Sequence, residues 1–327
     1  MTNLHLADYM ADDIQMVPIR KGFGEGLRKA GELDENVVAA SADLTESTQV
    51  HLFKESFPDR FFEIGIAEQN LVTVGAGLAA AGKIPFVSSY ASFSPGRNWE
   101  QIRTTVCLNN QPVKIVGAHA GLYTGEDGAT HQMLEDIALM RVLPNMVVIV
   151  PGDAIEAQKA TLAMAKDKRP NYIRLSRVAS PVFTTENTPF EIGQAYVLET
   201  GRDITIISTG TMTYPALEAA QMLYKDGIDA EVIHVPTIKP LDAETIIQSA
   251  AKTGAIITVE EAQIAGGLGG AVAEVLSENV PTPMKRIGIK DRFGESGHPA
   301  ELLDHFGLNS KNIVVQAHNL LTAIGKQ

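Results

Sequence analysis

A chain of 327 residues that is 45% hydrophobic can bury more than one core, and two domains of ordinary size are expected. Its net charge of −12 repels phosphodiester backbones, and without a long basic stripe it argues against a nucleic-acid partner. The apolar runs are broken by Gly, Pro or charge well short of the roughly 20 residues needed to cross a membrane, and the N-terminus lacks a basic-then-apolar leader pattern, so a cytoplasmic location is expected.

In chain order, the first seventeen residues read as a capping segment rather than a separate domain. Apolar, β-branched runs of strand length follow at 37–42, 84–89, 113–117 and 146–150, alternating with helical patterns as buried parallel strands and their crossover helices do. Between the first two runs, residues 67–81 carry Gly75, Ala76, Gly77, Ala79 and Ala80, a small-residue face suited to close packing. Cys107, the single cysteine, reads as a small core residue, and no Cys/His spacing has the form of a zinc site. After a Pro-, Thr- and Glu-containing stretch at 180–191 the pattern restarts, with strands expected at 204–208, 231–235 and 256–260. Over 213–225 the punctuation is helical: Thr213 as N-cap, Pro215 just inside, Gly227 beyond the end. The run Gly266-Gly267-Leu268-Gly269-Gly270 fits neither the dinucleotide fingerprint nor the Walker loop, and reads as a tight turn at a helix start. The class is α/β, with domains at 1–185 and 186–327.

Three clusters could carry chemistry, and each has a plainer reading. Ile64-Gly65-Ile66-Ala67-Glu68-Gln69-Asn70 places a carboxylate where an apolar run meets the small-residue helix, the usual position of a helix-dipole partner. Gly125-Glu126-Asp127-Gly128-Ala129-Thr130-His131-Gln132, with His119 upstream, could be a turn capped by Asp127. Leu175-Ser176-Arg177 ends a strand-like run with an Arg that could be a solvated charge.

Together with Ser41-Ala42-Asp43-Leu44-Thr45-Glu46-Ser47 and Asp291-Arg292-Phe293-Gly294-Glu295-Ser296-Gly297, these clusters resemble the transketolase family along nearly the whole chain. The resemblance covers two of that family's three domains: the pyrimidine-binding domain of a thiamine diphosphate enzyme and the transketolase C-terminal domain, each a mostly parallel sheet flanked by helices. It makes Glu68 the glutamate that hydrogen-bonds N1′ of the cofactor's aminopyrimidine, favouring the imino tautomer whose N4′ removes the C2 proton. It makes Phe93 the aromatic that stacks on the pyrimidine, with core packing as its plainer reading, and Asp43 a residue lining the cofactor pocket. By the same resemblance His119 and Asp127 bond the ketose hydroxyls, while His131, Arg177, Arg20 and Ser47 hold the far phosphate, for which a guanidinium fork is well shaped. The catalytic set is then Glu68, His119 and His131. The run Ser94-Pro95-Gly96-Arg97-Asn98-Trp99 differs in length from several family versions, so Arg97 and Trp99 stay outside that set.

The family's Gly-Asp-Gly motif, which holds the diphosphate through a divalent cation, is not in this sequence; Pro151-Gly152-Asp153-Ala154 is its nearest string and reads as a strand-to-helix turn. The resemblance therefore implies a separate N-terminal transketolase subunit carrying the diphosphate-binding domain and its magnesium or calcium, in an α2β2 assembly that shares thiamine diphosphate and acts on sugar phosphates. Two enzymatic alternatives share the Glu68 chemistry, a 1-deoxy-D-xylulose-5-phosphate synthase-like subunit and a 2-oxo acid dehydrogenase β-like subunit. His119 and Glu126 inside the Gly-Glu-Asp-Gly turn look like transketolase and unlike the synthases, which usually carry arginine at the former position, and the Thr130-His131-Gln132 run is generally lacking in the dehydrogenase subunits. An alternative of another class is a non-catalytic regulatory partner, against which an intact Glu68 argues.

Overall fold

The recurring apolar runs become strands buried on both faces, as parallel sheets covered by helices require. The computed structural model describes residues 4–326. In chain order the strands are β1 (Met16–Pro18), β2 (Val37–Ser41), β3 (Phe61–Glu63), β4 (Ile84–Tyr90), β5 (Lys114–Ala118), β6 (Val147–Ile149), β7 (Asn171–Arg174), β8 (Ala179–Pro181), β9 (Tyr196–Glu199), β10 (Ile204–Ser208), β11 (Ala230–His234), β12 (Thr237–Lys239), β13 (Ile256–Gln263) and β14 (Met284–Ile289). Every residue of β2, β5, β7, β10 and β11 is buried.

Among the described residues, one sheet has seven strands in the order β12-β6-β7-β5-β4-β2-β3 and another has five in the order β14-β13-β10-β11-β9. From β6 to β3 all pairings in the larger sheet are parallel. In the smaller sheet only the edge strand β9 runs antiparallel. The α/β class with mostly parallel sheets is thus observed. β1 and β8 form a separate antiparallel ribbon, and the leading segment is tied down by the Ala7 amide donating to the Phe183 carbonyl at 3.0 Å and by a Tyr9–Glu199 hydrogen bond.

Small residues set the helix positions. On helix Ile19–Leu33, a Cβ at Gly22 would stand 1.8 Å from the Ala154 carbonyl oxygen, so only glycine admits the contact with helix Ala154–Lys166. That contact fixes where Arg20, one residue into the helix, projects. Helix Glu68–Ala80 lies on β4, with Gly75 so close to Val87 that a Cβ would be 2.7 Å from its Cγ1.

Two expectations about helix starts resolve differently. Helix Thr213–Lys225 forms as read, but Thr213 is its first residue and not its cap; its hydroxyl is instead paired with His234 Nδ1 at 2.7 Å and accepts from Ser208. The Gly266 to Gly270 run does open a helix, Leu268–Asn279, and its anion-attracting amides are taken internally: Leu268 and Gly269 donate to the Glu260 carboxylate at 2.7 and 2.8 Å. Full burial pushes Glu260 up to about 7. Asp153 caps helix Ala154–Lys166 by accepting from the Glu156 amide at 2.9 Å, so the Gly152-Asp153 string is a strand-to-helix turn.

The two sheets are stitched together by buried polar contacts. His234 on β11 meets Glu156 at 2.7 Å. Arg174 on β7 lies between Asp136, at 3.0 Å, and Glu261 on β13, at 3.8 Å. β12 follows β11 in sequence yet pairs with β6 of the larger sheet. Cys107 is 2% exposed in the core, where burial lifts its thiol to about 11.

Candidate active site

Parallel strands deliver the loops at their carboxyl ends to one edge of the sheet, where α/β proteins bind ligands. In the larger sheet β7, β5, β4, β2 and β3 are consecutive neighbours. Arg177 follows β7, His119 follows β5, Phe93 and Arg97 follow β4, Asp43 and Ser47 follow β2, and Glu68 follows β3. Residues more than a hundred positions apart thus converge.

Glu68 begins helix Glu68–Ala80 and is 4% exposed. Its main-chain carbonyl accepts from Asn98 Nδ2 at 2.9 Å, fixing the residue from behind. Arg97 reaches back to its carboxylate at 3.3 and 3.4 Å while holding its Cζ 4.2 Å from the centroid of the Phe93 ring. A half-exposed Arg in so loose a geometry leaves most of the acceptor capacity of this carboxylate open. Trp99, by contrast, donates to the Leu139 carbonyl at 2.8 Å and packs against the main core.

Next to Phe93 lies a group of aromatic and imidazole rings. Tyr90, at the end of β4, stacks on His119 with centroids 3.9 Å apart and on Phe93 at 5.9 Å. His131 meets Phe93 edge-on at 5.4 Å and Tyr90 at 6.3 Å. His119 is 2% exposed and holds φ at +54°, a left-handed conformation that bulky residues rarely adopt. Burial, and then the charges of Arg20, Arg177 and His131, push its pKa down to about 3, so the ring is neutral at any physiological pH. Thr124 fixes its backbone by donating to the His119 carbonyl at 2.6 Å.

Two arginines flank this group. Arg20 donates to the Ser47 carbonyl at 2.5 Å, so Ser47 meets it through the main chain and not through its hydroxyl. Burial and the neighbouring Arg177 charge lower the Arg20 pKa. Arg177 donates to the Thr124 carbonyl at 2.8 Å and pairs with Asp127 at 3.5 Å and Glu126 at 4.0 Å. His131 Nδ1 shares a hydrogen bond with the Thr130 hydroxyl at 2.9 Å. Asp43 is exposed and joins Glu63, whose Oε1 accepts from the Asp43 amide at 2.8 Å, rather than the ring group. Of the residues singled out in the sequence, Glu68 and Phe93 are therefore linked through Arg97, and His119, His131, Arg20, Arg177 and Asp127 form one connected group. Arg97 and Tyr90 complete the site; Tyr90 had a signal, an aromatic at the carboxyl end of an apolar run.

Among the buried polar atoms without a protein partner, Arg20 Nε, Ser92 Oγ, His119 Nδ1 and Ser176 Oγ belong to the loops and helix start at the same edge. Such atoms are uncommon in folded interiors and mark places where a ligand or solvent supplies the partner. With a buried carboxylate, an aromatic face and two guanidinium groups, they suit a flat heterocycle bearing a ring nitrogen next to a hydroxylated, anionic substrate. No cluster of three or more His, Cys, Asp or Glu side chains disposed to hold a metal occurs among the described residues, and no described helix is long and apolar enough to cross a membrane.

Fold and site together define a two-domain α/β protein whose candidate site residues gather at the carboxyl edge of its larger sheet. The family model described as "Transketolase, pyrimidine binding domain" matches residues 15–181, and that described as "Transketolase, C-terminal domain" matches 193–313. The chain is 47% identical over 298 residues to a "Putative transketolase C-terminal section" of Methanocaldococcus jannaschii, covering 90% of this chain and 93% of that protein. It is 40% identical to the "6-deoxy-6-sulfo-D-fructose transketolase subunit SqwH" of Clostridium sp. strain MSTE9, covering 92% and 94%. A solved "Split gene transketolase, inactive beta4 tetramer" superposes with a TM-score of 0.88 at 45% identity, covering 94% of this chain and 99% of that one. The chain belongs to the transketolase family, and its pyrimidine-binding domain puts it among the thiamine diphosphate enzymes.

Proposed function

We propose that this chain is the subunit of a split transketolase that binds the pyrimidine of thiamine diphosphate and grips the sugar, moving a two-carbon ketol unit from a ketose phosphate to an aldose phosphate in the pentose phosphate pathway. In this reading residues 1–185 are the pyrimidine-binding domain and 186–327 the C-terminal domain. The partner is an N-terminal subunit whose diphosphate-binding domain holds magnesium or calcium, the assembly is α2β2, and the enzyme is cytoplasmic. Support comes from relatives matched over nearly their whole length that are named a C-terminal section, a subunit or a split-gene product.

The single observation that carries the reading is Glu68, 4% exposed and joined to Phe93 through Arg97, with its carboxylate loosely held. When bound, thiamine diphosphate supplies a nucleophilic carbon and an electron sink for the two-carbon fragment. Glu68 holds the proton at the ring nitrogen N1′, which only a carboxylate can exchange. Phe93 fixes the ring plane and excludes water from one face, and Asp43, held through its amide by Glu63 outside the ring group, lines the pocket at the boundary with the partner subunit. His119, kept neutral by its burial between two arginines, offers one donor and one acceptor to the ketose hydroxyls without adding charge. Asp127, already facing Arg177, joins it there. Arg20, Arg177, His131 and Ser47 receive the terminal anion.

The test is to co-purify the chain with a partner carrying a Gly-Asp-Gly domain and assay transfer from xylulose 5-phosphate to ribose 5-phosphate. Turnover of ketose phosphate by the chain alone would overturn the split-subunit reading. A sulfonated ketose is a second reading of the anionic end, favoured by the relative named for 6-deoxy-6-sulfo-D-fructose; it is run as a rival donor in the same assay.

A further inference from the structure

We propose that Glu261, on β13 of the smaller sheet, is a positioning residue for the loop that carries His119, Asp127 and His131, holding it in the shape that receives substrate. This inference rests on the reading of that loop as the sugar-binding element.

The loop closes on itself. Ala120 bridges to Met133, and the Gly121 amide donates to the Met133 carbonyl at 2.8 Å. Substrate-facing residues therefore sit on a ring of main chain whose base needs an anchor, because its first turn, Leu122–Asp127, begins with amides that no preceding helix satisfies. Glu261 supplies that anchor from the far domain. Its Oε1 accepts from the Tyr123 amide at 2.8 Å, and the neighbouring Leu122 amide also favours the charged carboxylate. The other oxygen, Oε2, accepts from Thr211 Oγ1 at 3.1 Å and stands 3.8 Å from Arg174 Nη1. Arg174 in turn donates to the carbonyls of Glu261, at 2.8 Å, and Met133, at 3.3 Å, joining the anchor to the closing point of the ring.

The approach is too close to be incidental. Gly121 has φ of +78°, and a Cβ there would fall 2.3 Å from Glu261 Oε1, so this position admits only glycine for two independent reasons. Glu261 is 2% exposed and its burial raises its pKa, with the Arg174 charge opposing. A carboxylate buried at such expense, for which Tyr123 and Arg174 are the main compensation, is better explained by the geometry it imposes than by stability alone. The opposite side of the ring is held by neutral contacts, Gln132 Nε2 donating to the Gly125 and Glu295 carbonyls at 2.9 Å each. Glu261 is thus the carboxylate of the clamp, the acceptor for the first turn of the ring, while the guanidinium groups of Arg174 and Arg177 donate to carbonyls elsewhere on it.

The experiment uses the assembled complex of this chain with its diphosphate-binding partner. Glu261→Gln preserves shape and removes the charge; Glu261→Asp preserves the charge balance with Arg174 and withdraws the carboxylate by one methylene, so it carries the test if the Gln variant fails to fold. For either variant we expect kcat/KM for the ketose donor to fall about tenfold or more, chiefly through KM, while deuterium exchange at the cofactor C2 stays within about twofold of wild type. Hydrogen exchange at the Tyr123 amide should accelerate about tenfold or more. Unchanged donor KM, or loss of C2 exchange in parallel with it, overturns the positioning role. Should the wild-type complex move no ketol unit, the functional reading fails by itself, and unchanged amide protection in the variants would then separately overturn the clamp.

Discussion

Replacing His119 by Asn tests the electrostatics of the site directly. Asn tolerates the left-handed backbone that His119 adopts, with φ of +54°, so the loop shape is preserved; the stack on Tyr90 is lost at every pH, and the pH-dependent difference reports the titrating group. In the folded chain the His119 pKa falls from 6.5 to about 3. A basic group depressed in this way is protonated first in the unfolded state, so its effect is to take away stability as pH drops below 6.5 and none above it. Between about pH 7.5 and about pH 5 the unfolded chain gains protonation free energy over about 1.5 pH units that the folded chain cannot match, or about 2 kcal/mol. Wild-type stability should therefore fall by about that amount relative to His119→Asn over this interval, read from paired urea unfolding curves in which every other titrating group cancels. A constant difference between the two proteins across the interval would refute the argument, as would an imidazole resonance from His119 titrating near its ordinary value.

Three further outcomes follow from the geometry. Glu68→Gln in the assembled complex should slow deuterium exchange at the cofactor C2 by about a hundredfold or more, and normal exchange would remove Glu68 from the proposed mechanism. Arg97→Ala removes a cation that pairs loosely with Glu68 and covers the Phe93 ring, contacts worth together about 1 kcal/mol; calorimetric titration should show cofactor binding about fivefold tighter, and weaker binding would mean that Arg97 helps to hold the ring. Gly117→Ala would place a Cβ 2.2 Å from the Tyr172 hydroxyl and push that ring off Asp136, which it donates to at 2.7 Å. Overpacking of this kind should lower stability by about 1–3 kcal/mol in denaturant unfolding, and an unmoved midpoint would show that the site has slack.

What could be read in the sequence followed burial. Strands covered on both faces, such as β2, β5 and β10, appear as mainly apolar, β-branched runs and lie within a residue of their expected bounds. β3 did not show because it is an edge strand of three residues, half-exposed to exposed, with no periodicity to detect. β12 escaped because nothing local says that a short run after β11 will leave its own sheet for the other. Within the site, His119, Asp127, His131 and Glu68 came from motif spacing and family resemblance. Arg97 could not, since its reach back to Glu68 depends on the path of residues 94–98, where length varies. Glu261 was hidden for the opposite reason: in the sequence it is one of two adjacent acids ending an apolar run, and only tertiary packing separates Glu260, which holds its own helix start, from Glu261, which holds a loop across the molecule.

That wandering strand has a practical corollary. Because Thr237–Lys239 completes the larger sheet by covering the free side of Val147–Ile149, cutting the chain at the expected boundary would leave an open row of backbone donors and acceptors on the amino-terminal fragment, a template for intermolecular pairing. The carboxyl-terminal half would carry away the strand that the other sheet needs, so a severed amino-terminal piece is expected to aggregate unless a peptide spanning that strand is added back to seal its flank.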